Sequence, residues 1–229
     1  MAVEKGTTAL YESWFLTPAG MYVDDKEKEL LINSVRFKRD ERVLEIGCGS
    51  GRYLEYLGDI GLIAAGVEPV DELVKRAMLK STLTPEQVIK APYEKIPVAD
   101  GSFENVIFIN TFAFAGDKGA ALKEAYRIAS KKIAVGFLNR NSITTLFKVK
   151  ERASVYYDAT PLSGKDIEVI AAMNLPAGGY SLKIFYTLYL PIKLGFMMPW
   201  ADTVFENMNI PVGDFGMAVI TKKPGVNNP

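Results

Sequence analysis

Histidine is absent from this 229-residue chain and cysteine occurs once, as Cys48. Within the chain, that excludes disulfides, Cys/His zinc sites, Ser-His-Asp triads and Cys-His dyads, so most hydrolytic and thiol chemistry is closed to it. An excess of charge of either sign is missing too, because 27 basic and 27 acidic residues cancel. The chain as a whole therefore lacks the electrostatic footprint of a nucleic-acid binder, and no nucleic-acid partner is expected. No run of ~18 apolar residues is available to span a bilayer. Met1 to Tyr11 carries Glu4, Lys5, Thr7 and Thr8 in place of a basic segment followed by an apolar one, so a cytoplasmic protein without an integral membrane segment is expected. Linkers rich in Pro, Gly or Ser are lacking as well. What is plentiful is apolar side chain, 48% of residues, enough for one self-sufficient core and hence a single domain over 1–229.

Short β-rich apolar runs alternate with amphipathic segments, the pattern of a mostly parallel sheet between two helical layers, so the expected class is α/β. Asp24 with Glu27 reads as a capping pair opening a helix through Leu30, Leu31 and Val35. Strands are expected at Arg42 to Ile46, Leu62 to Val67, Val88-Ile89, Val106 to Ile109 and Ile133 to Leu138. Between them, Tyr53 to Leu57 reads as a helix, Leu73/Val74/Ala77/Met78 as the inward stripe of the next, and Leu122/Ala125/Tyr126/Ala129 as a further helical face. Beyond Asn139, a polar stretch with Arg140, Lys148, Lys150 and Arg152 leads to a helix capped by Ser163 and ended by Pro176 and Gly178-Gly179. Ser181 to Tyr189 and Gly216 to Thr221 read as two strands that pair antiparallel, with an apolar excursion between them too long for a hairpin turn.

The most informative segment is Val43-Leu44-Glu45-Ile46-Gly47-Cys48-Gly49-Ser50-Gly51, a buried strand followed by glycines at alternate positions. Such a loop lets backbone approach a ligand and opens a helix whose free N–H groups favour an anionic group. A nicotinamide loop wants a further glycine where Arg52 stands, which obstructs close helix–strand packing and counts against an NAD(P)-dependent oxidoreductase. About 20 residues on, at the end of the second strand, Glu68 is placed to accept both hydroxyls of a ribose. The two features together indicate an adenosine-type ligand.

At these residues the sequence resembles the class I S-adenosylmethionine-dependent methyltransferases, in particular the small-molecule, ubiquinone/menaquinone-biosynthesis-like branch, over roughly residues 8 to 140. Ile96-Pro97-Val98-Ala99-Asp100-Gly101-Ser102-Phe103-Glu104 looks like the stretch that precedes the family's fourth strand, and Asn110-Thr111 stands where the family closes over the methionine part of the cofactor. The resemblance implies a Rossmann-like three-layer sandwich with a seven-stranded, mostly parallel sheet, an antiparallel last strand, a helical lid over 1–40, a core over 41–140 and an acceptor-side cap within 141–229. It implies S-adenosylmethionine as cofactor, with Gly47, Cys48 and Gly49 at its methionine moiety, Glu68 at the ribose, Pro69 on one adenine face, and Tyr93 and Glu94 lining the adenine edge. Glu45 and Gly51 from the same segment, Asn110, and Trp14 of the lid complete the expected set. Where many members carry Asp, this chain has Pro92, so the adenine amino group falls to a backbone carbonyl, Glu94 or water.

Cys48 reads as a small filler lending its backbone, and Trp14 with Phe15 as either lid or ordinary packing. Methyl transfer needs no histidine, because the methyl group arrives on an activated sulfonium; Tyr156, Tyr157, Asp158 and Glu206 are the candidates for moving a proton. Asn110-Thr111-Phe112-Ala113 lacks the prolines of base-amino methyltransferases, and no carboxylate cluster follows the fourth strand to hold a metal. The expected acceptor is a small apolar or aromatic molecule, with oxygen, nitrogen and carbon all open, in a monomer or homodimer. A non-catalytic protein using the Leu188 to Trp200 segment against a partner or membrane is the other reading.

Overall fold

The computed structural model describes residues 13–80, 82–142, 144–145, 160–190 and 199–223. Seven strands, β1 (Arg42–Ile46), β2 (Ile63–Val67), β3 (Val88–Ile89), β4 (Phe103–Ile109), β5 (Ala129–Leu138), β6 (Tyr180–Thr187) and β7 (Phe215–Lys222), form one sheet in the order β3-β2-β1-β4-β5-β7-β6. β1 to β5 pair in parallel, and β7 runs antiparallel to both β5 and β6. The expected Rossmann-like sheet with its antiparallel last strand is what the chain forms.

The α-helices described are α1 (Pro18–Val35), α2 (Arg52–Asp59), α3 (Asp71–Met78), α4 (Lys118–Ile128), α5 (Gly164–Asn174) and α6 (Pro199–Met208). Successive side chains of a strand point to opposite faces, and here both faces are dry. Val106 and Phe108 of β4 join Leu122, Tyr126, Ile167 and Ala171 in one core. Ile107 and Ile109 join Leu31, Val35, Leu54, Leu57, Val74 and Ala77 in the other. Full burial of side chains of this kind contributes roughly 1.5–3 kcal/mol each, which is why the central strands read as continuous apolar runs.

Local chemistry sets the helix ends, and the helices depart from expectation at Thr17-Pro18, Met78 and Ala129. α1 starts about two turns earlier than the Asp24/Glu27 pair suggests: Thr17 caps it by accepting from the Gly20 N–H at 3.1 Å, and Pro18 occupies the first turn. Proline lacks an N–H where none is needed, so Thr17-Pro18 is the stronger start signal. Met78 is 43% exposed, because α3 ends with it and turns it to solvent, while Val74 and Ala77 carry the inward stripe. Ala129 belongs to β5, its N–H closing the last turn of α4 on the Ala125 carbonyl. The Ser163 cap is present as a reciprocal box with Asp166. Lys148, Lys150 and Arg152 lie outside the described residues, as does most of the Leu188 to Trp200 excursion.

Strand order reverses between β1 and β4, which opens a crevice at the carboxyl ends of these strands. α1 lies on that side of the molecule and is fastened to α6. The Tyr22 hydroxyl donates to Asp202 at 2.5 Å, and Lys26 pairs with Glu206 at 3.2 Å. Among the described residues no helix is long and apolar enough to cross a membrane.

Candidate cofactor site

The turn out of β1 is shaped by backbone. Gly47, Gly49 and Gly51 all have positive φ, at 82°, 55° and 82°, a region that residues with a Cβ occupy at a cost. A Cβ on Gly47 would lie 2.5 Å from Thr111, whereas one on Gly49 meets nothing within 4 Å. Gly47 therefore lets the loop pack against the end of β4, and Gly49 presents backbone to open space. Thr111 locks that contact by donating its hydroxyl to the Ile46 carbonyl at 2.7 Å. The N–H groups of Gly47 and Cys48 both reach the Val67 carbonyl, at 2.7 and 3.0 Å, tying the loop to the end of β2. Cys48 is buried over Gly66, where an added Cβ would stand 2.5 Å from its sulfur. Burial pushes its thiol well above the ordinary range, so the residue fills space as expected of a loop filler.

Glu68 follows β2 directly and is 3% exposed. One carboxylate oxygen accepts the Gly49 N–H at 3.0 Å and the other the Val70 N–H at 3.0 Å. The two bonds fix the plane of the carboxylate and leave lone pairs on both oxygens. Burial raises its pKa above the usual carboxylate range, and the two N–H bonds offset part of that. Glu45, on β1, is 3% exposed, and its Oε2 has no hydrogen-bond partner among the described residues. Burial, eased by Arg52 and aggravated by Glu68, pushes Glu45 up to about 8. Burial, with the neighbouring Glu68 and Glu45 carboxylates, pushes the Tyr93 hydroxyl up.

The other expected residues lie around this centre. Pro69 is exposed at the rim. Glu94 turns toward the loop before α4, accepting the Asp117 N–H at 3.2 Å. Trp14 is half-buried edge-on to Phe15, whose ring lies 3.7 Å from the Arg52 guanidinium. Asn110 closes β4 with φ 60°, and its Nδ2 donates to both oxygens of Glu27 at 3.2 and 3.1 Å. Of the proton-transfer candidates, Tyr156, Tyr157 and Asp158 lie outside the described residues. Glu206 takes the Thr187 hydroxyl at 2.5 Å and the Lys26 ammonium.

Glu27 and Arg52 are the residues that sequence reasoning missed. Glu27 is 1% exposed, accepts the Tyr53 hydroxyl at 3.4 Å, and is pushed up to about 7 by burial, with Arg52 and Asn110 offsetting part. Arg52 pairs with Asp24 of α1. A signal was present: Val23, Glu27, Leu31 and Val35 recur every fourth residue, so a carboxylate stands in the apolar stripe of α1.

A turn with three left-handed glycines, an anchored ribose-type carboxylate after β2 and this strand order define a class I S-adenosylmethionine-dependent methyltransferase fold. The comparisons agree with that fold: residues 44–132 match the family described as "Methyltransferase domain". A SAM-dependent methyltransferase of Thermotoga maritima, described as a possible histamine N-methyltransferase, is 25% identical, with a TM-score of 0.69 over 93% of this chain and 95% of that one. The mitochondrial ubiquinone biosynthesis O-methyltransferase of Bos taurus is 31% identical over 86 residues, 31% of this chain. The malonyl-[acyl-carrier protein] O-methyltransferase of Pseudescherichia vulneris is 27% identical over 109 residues, 48% of this chain. The matches span 23% and 43% of these two curated relatives.

The site fits S-adenosylmethionine. Gly49 offers open backbone, Glu68 offers two oriented acceptors, and Glu45 holds an orphaned one. Arg52, where a dinucleotide loop needs glycine, fills its position with a guanidinium stacked on Phe15 and Tyr53.

Proposed function

We propose that this protein transfers a methyl group from S-adenosylmethionine to a small-molecule acceptor with an apolar or aromatic body. The observation that carries the proposal is Glu68, held by Gly49 and Val70 in the plane where two vicinal hydroxyls donate to it. Glu68 takes the ribose, Gly47 to Gly49 lie along the methionine moiety, and Pro69 with Tyr93 flanks the adenine. The cofactor, when bound, supplies an electrophilic methyl group that already carries its leaving group. The chain's own work is to hold donor and acceptor in line and keep water out, and positioning of that kind contributes on the order of ~7 kcal/mol to lowering a barrier. Zero net charge supports a small acceptor over nucleic acid. The named relatives methylate oxygen and, as a possibility for one, nitrogen, so both belong in the acceptor panel. α1 serves as the lid and the α6 side as the acceptor cap of one cytoplasmic domain. Incubation with methyl-tritiated cofactor and a panel of phenols, carboxylic acids and amines tests the reading. Label is expected in a small-molecule product; tight cofactor binding with no label in any product would favour a non-catalytic binding protein.

A further inference from the structure

A surface helix ordinarily turns its apolar stripe to the core and its charges to water, and α6 does the reverse. Asp202 and Glu206, about one turn apart, face the protein. Asp202 is fully buried, taking the Tyr22 hydroxyl of α1 on one oxygen and the Tyr189 and Leu190 N–H groups on the other, at 2.8 and 3.0 Å. Glu206 takes Lys26 of α1 and the Thr187 hydroxyl at the end of β6. A step of two residues turns a helix by about 200°, so Trp200, Val204 and Met208 form a ridge on the opposite side. They are 65, 52 and 62% exposed, and Phe205 at the flank and Val212 just beyond the helix are exposed as well. Polar bonds on the inward face attach α6 to α1 and β6, which leaves the ridge for a contact outside the domain.

The chemistry of the ridge selects its occupant. A projecting row of side chains does not enclose a small molecule as a concave site does. α6 carries two acids and no Lys or Arg, the opposite of the basic polar face with which a helix settles on an anionic membrane. Rows of every fourth residue interdigitate in helix pairs, and a two-fold axis brings the same row of two copies together. The five exposed side chains leave on the order of 500 Å² of apolar surface in water, and a two-fold contact buries it twice, reaching the ~1,000 Å² that a specific interface needs. We propose that two copies of this protein pair through α6, ridge against ridge, with Val204 at the middle of the ridge nearest the axis. The contact braces the α1–α6 wall at the carboxyl end of the sheet in both copies.

Sedimentation equilibrium of the full chain across the micromolar range tests the pairing. The wild type is expected at twice the mass of one chain. Val204→Glu and Val204→Lys are each expected as monomers, with dimer affinity lowered by about 100-fold or more, because like charges meet in a contact that excludes water. An equimolar mixture of the two variants is expected to restore the dimer, since opposite charges then meet at the axis, and that restoration also shows both to be folded. Should either fail to fold by thermal melt, Trp200→Ser and Met208→Ser, at exposed positions of the same ridge, are expected to lower dimer affinity by about tenfold or more each. A wild type that stays monomeric throughout the range overturns the pairing, and if it then floats with phosphatidylcholine vesicles the ridge belongs to lipid instead. A dimer that keeps wild-type affinity in these variants overturns the seat on α6. Folded monomeric variants whose mixture stays monomeric overturn the two-fold contact at Val204.

Discussion

The two ends of the sheet treat carboxylates in opposite ways. At the amino end, Glu41 accepts from Lys131 at 2.8 Å, Asn105 at 2.8 Å and the Lys38 N–H at 3.1 Å. Glu104 takes both the guanidinium and the N–H of Arg42, and Glu124 takes Arg127. Arg42 holds Glu104 below the usual carboxylate range; burial would raise Glu41 and Glu124, and their cationic and N–H partners outweigh it. At the carboxyl end, burial wins instead, and Glu27, Glu45 and Glu68 all sit high. An end whose acids are satisfied by the chain is complete by itself. An end whose buried acids keep spare acceptor sites and no cationic partner strong enough to offset burial has room for a ligand's donors, and such displaced groups are where function concentrates.

The sharpest break of this contrast is at Gly47. Gly47→Ala forces a Cβ into Thr111 at a φ of 82°, which is expected to cost roughly 3 kcal/mol or more of stability and to abolish binding of S-adenosylhomocysteine, read by thermal melts and calorimetry. Next, Glu68→Ala removes the acceptor of two loop N–H groups and of the ribose, and is expected to weaken S-adenosylhomocysteine by roughly 1–3 kcal/mol. Unchanged affinity would mean that the ribose is held elsewhere. Glu45 gives a third effect, visible in pH. Its folded pKa of about 8 lies above its ordinary 4.5, so the native state binds the extra proton and stability falls as the pH rises between those values. Denaturant titrations should show this decline flattened in Glu45→Gln, with the two curves converging by about 1 kcal/mol or more between pH 5 and pH 8.5. The smallest effect belongs to the amino end. Lys131→Met unpairs Glu41 but leaves a half-exposed position, so a loss of at most ~1 kcal/mol in stability and no change in cofactor affinity are expected.

Much of this was legible in the chain itself because the signals are local. Alternation of β-rich runs with helical stripes predicts the sheet, the spacing of Gly47, Gly49 and Gly51 predicts the turn, and Glu68 sits where a strand must end. Glu27 stands out in the apolar stripe of α1, but what it and Arg52 bond to was not legible, for a physical reason. Each is read from neighbours as something ordinary, Glu27 as half of a capping pair and Arg52 as an obstacle to a dinucleotide. Their partners, Asn110 and Asp24, are 83 and 28 residues away, and only the folded topology brings them together. The start of α1 was misplaced by the same preference for a nearby acid pair over Thr17-Pro18. Glu94, expected at the adenine edge, also accepts the Asp117 N–H through one carboxylate oxygen.

The central claim is that a methionine-bearing adenosine ligand completes the carboxyl end of this sheet. Calorimetric titration of the wild type with S-adenosylhomocysteine, and separately with NADH, tests it most directly. The account predicts saturable binding of one S-adenosylhomocysteine per chain and no heat with NADH. Saturable binding of NADH with no response to S-adenosylhomocysteine would contradict it.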